Sequence, residues 1–275
     1  MNVEESYAWC ARIARTQAKN FYYSFLLLSR PKRQAMCAMY AFMRYCDDLS
    51  DEEGIADRAA AIGRWSSDLE SALAGRLGDH PLWPAFVDAA GRYRIPHQYF
   101  FEMIEGVRSD LEPRHISSFD ELYDYCYQVA SVVGLTTIHV FGFDSPDAPA
   151  LAEKCGVAFQ LTNILRDVRE DAEKGRVYLP AEDLERFGVR EFAYNENFRG
   201  LMEYQARRAR DYYRQSEPLI GLIHPASRPS LRALIGIYSR LLDRIVASNY
   251  DVLARRIRVP TTEKLWILAR SLALH

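Results

Sequence analysis

Tyr40, Arg44, Asp47 and Asp51 follow one another at spacings of four, three and four. On a helix these positions share one face, so the two carboxylates point the same way and can share a divalent cation. Asp48 stands beside that face. A second stripe repeats the arrangement with Gln160, Asn163, Asp167 and Asp171, spaced three, four and four and flanked by Arg166 and Arg169. One Asp pair at i and i+4 is the ordinary pattern of a solvated helix face. Two such stripes, each on a helix otherwise rich in apolar residues, read differently. A carboxylate withdrawn from water costs several kcal/mol unless it is paired or metal-bound. Mg²⁺, or Mn²⁺ in its place, takes oxygen ligands, commonly one or two carboxylates with substrate phosphates and water. Two Asp pairs with arginines beside them describe a diphosphate site, where metal and guanidinium charge neutralise a leaving group.

Other metal chemistry fits worse. A di-iron bundle needs Glu-x-x-His twice; the chain has one such spacing, Glu112 to His115, interrupted by Pro113. Zinc-ligand spacing, a phosphate-binding Gly-rich loop and a strand–Gly-rich–helix unit are all missing. The six histidines are scattered and read as structural or surface residues.

The elements that must carry these stripes are helices. Apolar residues recur every three or four positions nearly throughout, and the one strand-like patch, 21–28, is short. Ser29 ahead of Pro31, Ser118 ahead of Glu121 and Ser145-Pro146 are helix-start signals; Gly54, Gly78, Gly142 and Gly175 are stops. No linker or shift in composition divides the chain, so the expectation is a single all-α domain of packed helices over residues 1–275.

Hydrophobic residues make up 49% of the 275-residue chain and charged residues 26%, an ordinary balance for a globular protein that argues against disorder. The formal net charge of −2 makes nucleic acid a poor partner. Five irregularly spaced cysteines, Cys10, Cys37, Cys46, Cys126 and Cys155, point to buried reduced thiols in a cytoplasmic protein. The first fifteen residues lack the apolar core of a secretory signal, and no run is long enough to span a bilayer. The segment Lys264 to Arg270 sets basic and apolar residues in helical register. It reads first as a terminal core helix, with a segment resting on the inner membrane surface as the alternative.

These residues also stand in longer runs: Asn20 to Phe25, Tyr40 to Glu52, Tyr125 to Gly134, Ala158 to Asp171, Gly175 to Pro180 and Asn249 to Arg256. Together they resemble the squalene/phytoene synthase family over most of the chain. The resemblance implies an isoprenoid synthase-type helical bundle around a central cavity, with the two Asp motifs near its mouth. It implies a prenyltransferase that joins two isoprenoid diphosphates head to head. One substrate ionises with Mg²⁺ help, its cation alkylates the C2–C3 double bond of the second, and proton loss gives a cyclopropylcarbinyl diphosphate. Some members stop there; others ionise it again and rearrange it, with or without NADPH.

By that resemblance Asp47, Asp51, Asp167 and Asp171 hold the metal. Arg44 meets diphosphate oxygens, Gln160 and Asn163 orient diphosphate or metal-bound water, and Tyr125 stands near the reacting carbons. Phe21, Phe25 and Tyr40 stabilise carbocations through their ring faces. Asn20, Arg166 and Tyr250 complete the substrate-binding set. Replacing Asp47 or Asp167 by Asn is expected to abolish ionisation at little cost to the fold, and relief of like charges can even raise the melting temperature. Asn20 stands where relatives often carry Ser. Ser131 and Val132 stand where smaller residues are frequent, which bears on cavity shape. The chain length and the opening Phe-Tyr-Tyr-Ser-Phe resemble bacterial presqualene diphosphate synthases, so two farnesyl diphosphates giving presqualene diphosphate is the first expectation. Two geranylgeranyl diphosphates giving 15-cis-phytoene is the alternative. A non-catalytic scaffold on the same fold, or a head-to-tail synthase or terpene cyclase, is a further one. Oligomeric state is not legible.

Overall fold

A computed structural model describes residues 1–18, 21–51, 57–111 and 115–274, with Asp51 described by its backbone alone. Fourteen α-helices follow in chain order: α1 (Val3–Gln17), α2 (Phe21–Phe25), α3 (Arg30–Asp51), α4 (Arg58–Leu73), α5 (Trp83–Arg92), α6 (Gln98–Ser109), α7 (Phe119–Cys126), α8 (Val132–Phe141), α9 (Ala148–Glu173), α10 (Ala181–Arg186), α11 (Glu196–Ser216), α12 (Leu219–Leu222), α13 (Arg228–Ala247) and α14 (Thr261–Ala273). Among the described residues there is no β-strand; the strand-like patch 21–28 forms the short α2 and the turn that follows it. The stop and start signals place several ends correctly. Gly142 ends α8 at φ 83, where a Cβ would lie 2.3 Å from His224 Nδ1, so only glycine fits. Ser118 caps α7 by accepting from Glu121 N, but the Glu121 carboxylate accepts from Ser117 N at 2.8 Å, one residue earlier than a full capping box requires. Gly54 lies outside the described residues.

Two long helices organise the core. α3 is buried on most of its circumference, with Ala35 to Met39, Ala41 and Phe42 nearly inaccessible; it packs against α1, α4, α5, α6 and α8. An aromatic cluster of Phe42, Trp65, Trp83, Phe86 and Phe100 fixes that side. α9 packs against α11 on one side and α8 on the other. The five cysteines are buried free thiols, as expected.

Between α7 and α8 the chain forms one wide π-helical turn, Tyr127–Ser131, a feature frequent at functional sites. It lies against α9 so closely that a Cβ on Gly156 would meet Ser131 Cα at 2.5 Å. Ser131 Oγ seals the contact by donating to Glu153 O at 2.8 Å.

No helix among the described residues is long and apolar enough to cross a membrane. α14 buries Lys264, Ile267, Leu268 and Ser271 against its neighbours, as a terminal core helix does. Its other face leaves Leu265, Trp266 and Leu272 exposed.

Candidate active site

A cavity of about 360 Å³ lies among α2, α3, α6, the π-turn, α8, α9 and α13. That volume falls within the range of small-molecule sites. Its wall grades in polarity. Phe25, Met36, Met103, Ile138, Leu231 and Leu234 are buried and apolar. Arg44, Asp47, Asp110, Gln160, Asn163 and Arg176 are polar and more exposed. The polar set therefore marks the mouth, and the apolar set the floor.

The first stripe delivers Tyr40, Arg44 and Asp47 to this wall. Burial pushes the Tyr40 phenol up to about 12, so it stays a neutral hydroxyl. Arg44 pairs with Asp48, and its Nε is buried with no hydrogen-bond partner. Asp47 itself is solvent-exposed, not withdrawn from water as its apolar helix implied. The Asp51 side chain and Asn20 lie outside the described residues.

The second stripe brings Gln160 and Asn163 to the opposing wall, with Asn163 Nδ2 donating to Gln160 Oε1 at 3.4 Å. Asn163 Oδ1 is buried without a partner. Asp167 and Asp171 continue along α9, about 6 and 12 Å beyond Asn163 at the helical rise, and do not line the cavity. The Asp167 carboxylate accepts from Arg166 Nε at 2.7 Å and meets Arg256 Nη2 at 2.8 Å. Arg166 thus acts on Asp167 and is not a cavity-lining residue. Burial, then the neighbouring Asp167 charge, pushes the Asp171 carboxyl up to about 7.

These groups fit a hard divalent cation. Oxygen donors predominate, Asn163 Oδ1 is buried and unsatisfied, and burial and Asp167 disfavour the charged form of Asp171, a cost that a bound cation would offset. Among the described residues no three acidic, His or Cys side chains converge on one point.

Phe21, Phe25 and Tyr125 also line the cavity. Tyr250 does not. It sits at φ 64 in the turn after α13, half-buried beside charged residues of α11. The structure places Tyr250 in this turn and not on the cavity wall, where substrate binding was expected of it. Asn249 and Tyr250, both left-handed, reverse the chain. Arg169 Nη1 then ties Leu253 O down at 3.0 Å, and the segment carries Arg256 onto Asp167. Ser131 and Val132 are buried away from the cavity; Ala130, Val133 and Gly134 line it in their place.

Four lining or adjoining residues were not read from sequence. Tyr238 stacks on Phe159 at 4.4 Å and approaches Phe21 at 5.5 Å, extending the aromatic wall from α13. Asp110, Arg176 and Tyr178 cluster around Tyr125. Arg176 and Tyr178 lay inside a run singled out in the sequence, Gly175 to Pro180, which was the available signal. Asp110 and Tyr238 had none.

Comparison with known proteins points one way. The family model described as squalene/phytoene synthase matches residues 14–263. The 15-cis-phytoene synthase of Synechococcus elongatus is 39% identical over 96% of this chain and 91% of that protein. Phytoene synthase 3, chloroplastic, of Zea mays is 40% identical over 95% of this chain and 64% of its own length. A crystal structure of a dehydrosqualene synthase in complex with ligand superposes with a TM-score of 0.91 at 30% identity, covering 99% of this chain and 97% of that one. The chain belongs to the squalene/phytoene synthase family, prenyltransferases that join isoprenoid diphosphates head to head.

Proposed function

We propose that this enzyme condenses two geranylgeranyl diphosphates to 15-cis-phytoene. One observation carries the reading: relatives named phytoene synthase are 39% and 40% identical over nearly the whole chain. The presqualene diphosphate expectation rested on chain length and a five-residue opening, and neither measures the depth of an apolar cavity.

The site divides the work by polarity. Asp47, Asp51, Asp167 and Asp171 would hold Mg²⁺, which when bound supplies the positive charge that stabilises a departing diphosphate. Arg44, on the cavity wall, meets diphosphate oxygens, and Gln160 and Asn163 orient the same group across the mouth. Arg166 and Arg256 fix the Asp167 carboxylate. Behind this rim Phe21, Phe25 and Tyr40 offer ring faces to cationic carbon, worth about 0.5–2 kcal/mol each. The apolar floor excludes water, which would otherwise quench the cation. Two ionisations and two proton losses balance the overall reaction, so it needs no NADPH. Product analysis by mass spectrometry after incubation with Mg²⁺ and geranylgeranyl diphosphate tests the reading. A C40 hydrocarbon supports it, and condensation of farnesyl diphosphate alone replaces it with the C15 reading.

A further inference from the structure

Tyr125 does not stand alone in the cavity wall. Its hydroxyl donates to Asp110 Oδ2 at 3.0 Å, while the Tyr178 hydroxyl donates to Asp110 Oδ1 at 2.9 Å. The two phenol rings stack at 4.8 Å with an interplanar angle of 16°. One carboxylate therefore takes a hydrogen bond on each oxygen from two parallel phenols. Asp110 is itself held where α6 ends, because Arg176 Nη2 donates to its carbonyl oxygen at 2.9 Å. Tyr125 and Asp110 both line the cavity, and Tyr178 is buried behind them.

The geometry has a chemical consequence. A phenol that donates its proton to a carboxylate directs its oxygen lone pairs elsewhere and becomes a better acceptor, since hydrogen bonds in a chain polarise one another. Here Tyr125 Oη belongs to a residue of the cavity wall. Burial and the adjacent Asp110 charge keep the Tyr125 phenol well above its ordinary range, so it works as a neutral hydroxyl and not as a phenolate. Joining two allylic diphosphates with loss of one diphosphate anion leaves a carbocation, and a neutral carbon skeleton returns only when a proton departs.

We propose that Asp110 is the positioning residue and terminal proton acceptor of this step, acting through Tyr125. The inference rests on the head-to-head reading of the site. The C–H bond that breaks is on the newly joined carbon of the ionised substrate, one atom removed from the cationic carbon, and its electron pair closes the three-membered ring onto that cationic carbon. The proton passes to Tyr125 Oη as the proton already on that oxygen moves to Asp110 Oδ2. No redox change occurs, and the proton leaves Asp110 to solvent after product release. Tyr178 holds the carboxylate by its other oxygen, and Arg176 fixes the Asp110 main chain that carries it.

The test is a double-mutant cycle on Asp110→Asn and Tyr125→Phe in the full-length enzyme with Mg²⁺. Asn cannot accept on its amide nitrogen, yet it keeps the volume of Asp. Turnover is measured on whichever allylic diphosphate the wild-type enzyme condenses. An error in the substrate assignment then changes the substrate used and not the ratio of variant to wild type. The expected result is a kcat loss of about thirtyfold or more in Asp110→Asn. KM, and the affinity for a non-ionising thiolodiphosphate analogue, should stay within about threefold of wild type. The same substitution should have almost no further effect in the Tyr125→Phe background, and Asp110→Glu should recover part of the rate. The proposal is overturned if Asp110→Asn keeps its kcat, if its loss appears in KM and analogue binding, or if the two losses multiply independently. A fall in the melting temperature of Asp110→Asn that Asp110→Glu shares without regaining rate assigns Asp110 a structural role and equally overturns it.

Discussion

Arg256 Nη2 meets Asp167 Oδ1 at 2.8 Å, on a carboxylate that Arg166 already holds from the adjacent position in α9. Asp167 is therefore a paired charge in the metal-free protein. The relief of repulsion with Asp171 that Asp167→Asn gives is outweighed by this contact, because the substitution strands the largely buried Arg166 guanidinium. Partial exposure of Arg256 reduces the effect, and the predicted loss is roughly 2 kcal/mol, or about 5 °C in melting temperature. Calorimetry in EDTA checks the sign: the metal-free Asp167→Asn protein should melt below wild type, and its turnover with Mg²⁺ should vanish.

Asp171 behaves in the opposite way. Its carboxyl is pushed up to about 7 by burial and by Asp167. A folded-state value above the unfolded one gives stability that is full at low pH and lost as pH rises through about 7. Asp171→Asn removes that loss. In EDTA the variant should match wild type below about pH 4, draw ahead of it as pH rises from there to about 7, and melt a few degrees above it at pH 8. Parallel melting curves across that range would refute the assignment.

Gly156 has no room for a methyl group, since the atoms nearest its missing Cβ are the backbone of Ser131 and Ala130 at 2.5–2.8 Å. Backbone cannot step aside as a flexible side chain can. Gly156→Ala should cost about 2–3 kcal/mol by overpacking α9 against the π-turn. Denaturant melts read this directly, and a change within experimental error would mean that the two segments are not in contact.

Burial pushes the thiols of Cys10, Cys37 and Cys155 up to about 12, and those of Cys46 and Cys126 higher still. The thiolate is the reactive form. Native protein at pH 8 should therefore resist iodoacetamide while the unfolded chain labels at all five positions. Stability should fall as pH rises from about 9 towards 12, because the unfolded thiols release their protons first. Rapid native labelling of any of the five would contradict their burial.

The helical stripes were legible because their chemistry repeats at the helix period. Tyr40, Arg44 and Asp47 arrive on one cavity wall, and Gln160 and Asn163 on another, as spacing alone required. What spacing could not supply was the third dimension. Tyr238 sits on α13, far from either stripe in sequence, and reaches the cavity only because α13 packs beside α2 and α9. Asp110 ends a helix with nothing around it in sequence to mark it, and its partners Tyr125 and Tyr178 come from separate segments. Tyr250 shows the converse, a residue marked by its sequence run that lies off the cavity wall. It belongs to a run singled out in the sequence, and what the structure places there is a left-handed reversal followed by Arg256, which pairs with Asp167. The π-turn was likewise invisible, because one extra residue in a helical turn leaves no mark on an apolar pattern.

The central claim is the identity of the condensed substrate. The most direct measurement gives purified enzyme Mg²⁺ with geranylgeranyl diphosphate alone, and separately with farnesyl diphosphate alone, and identifies the products by mass spectrometry. A C40 hydrocarbon from geranylgeranyl diphosphate, formed without NADPH and lost in Asp47→Asn, is the predicted result. Condensation of farnesyl diphosphate with none of geranylgeranyl diphosphate would contradict it.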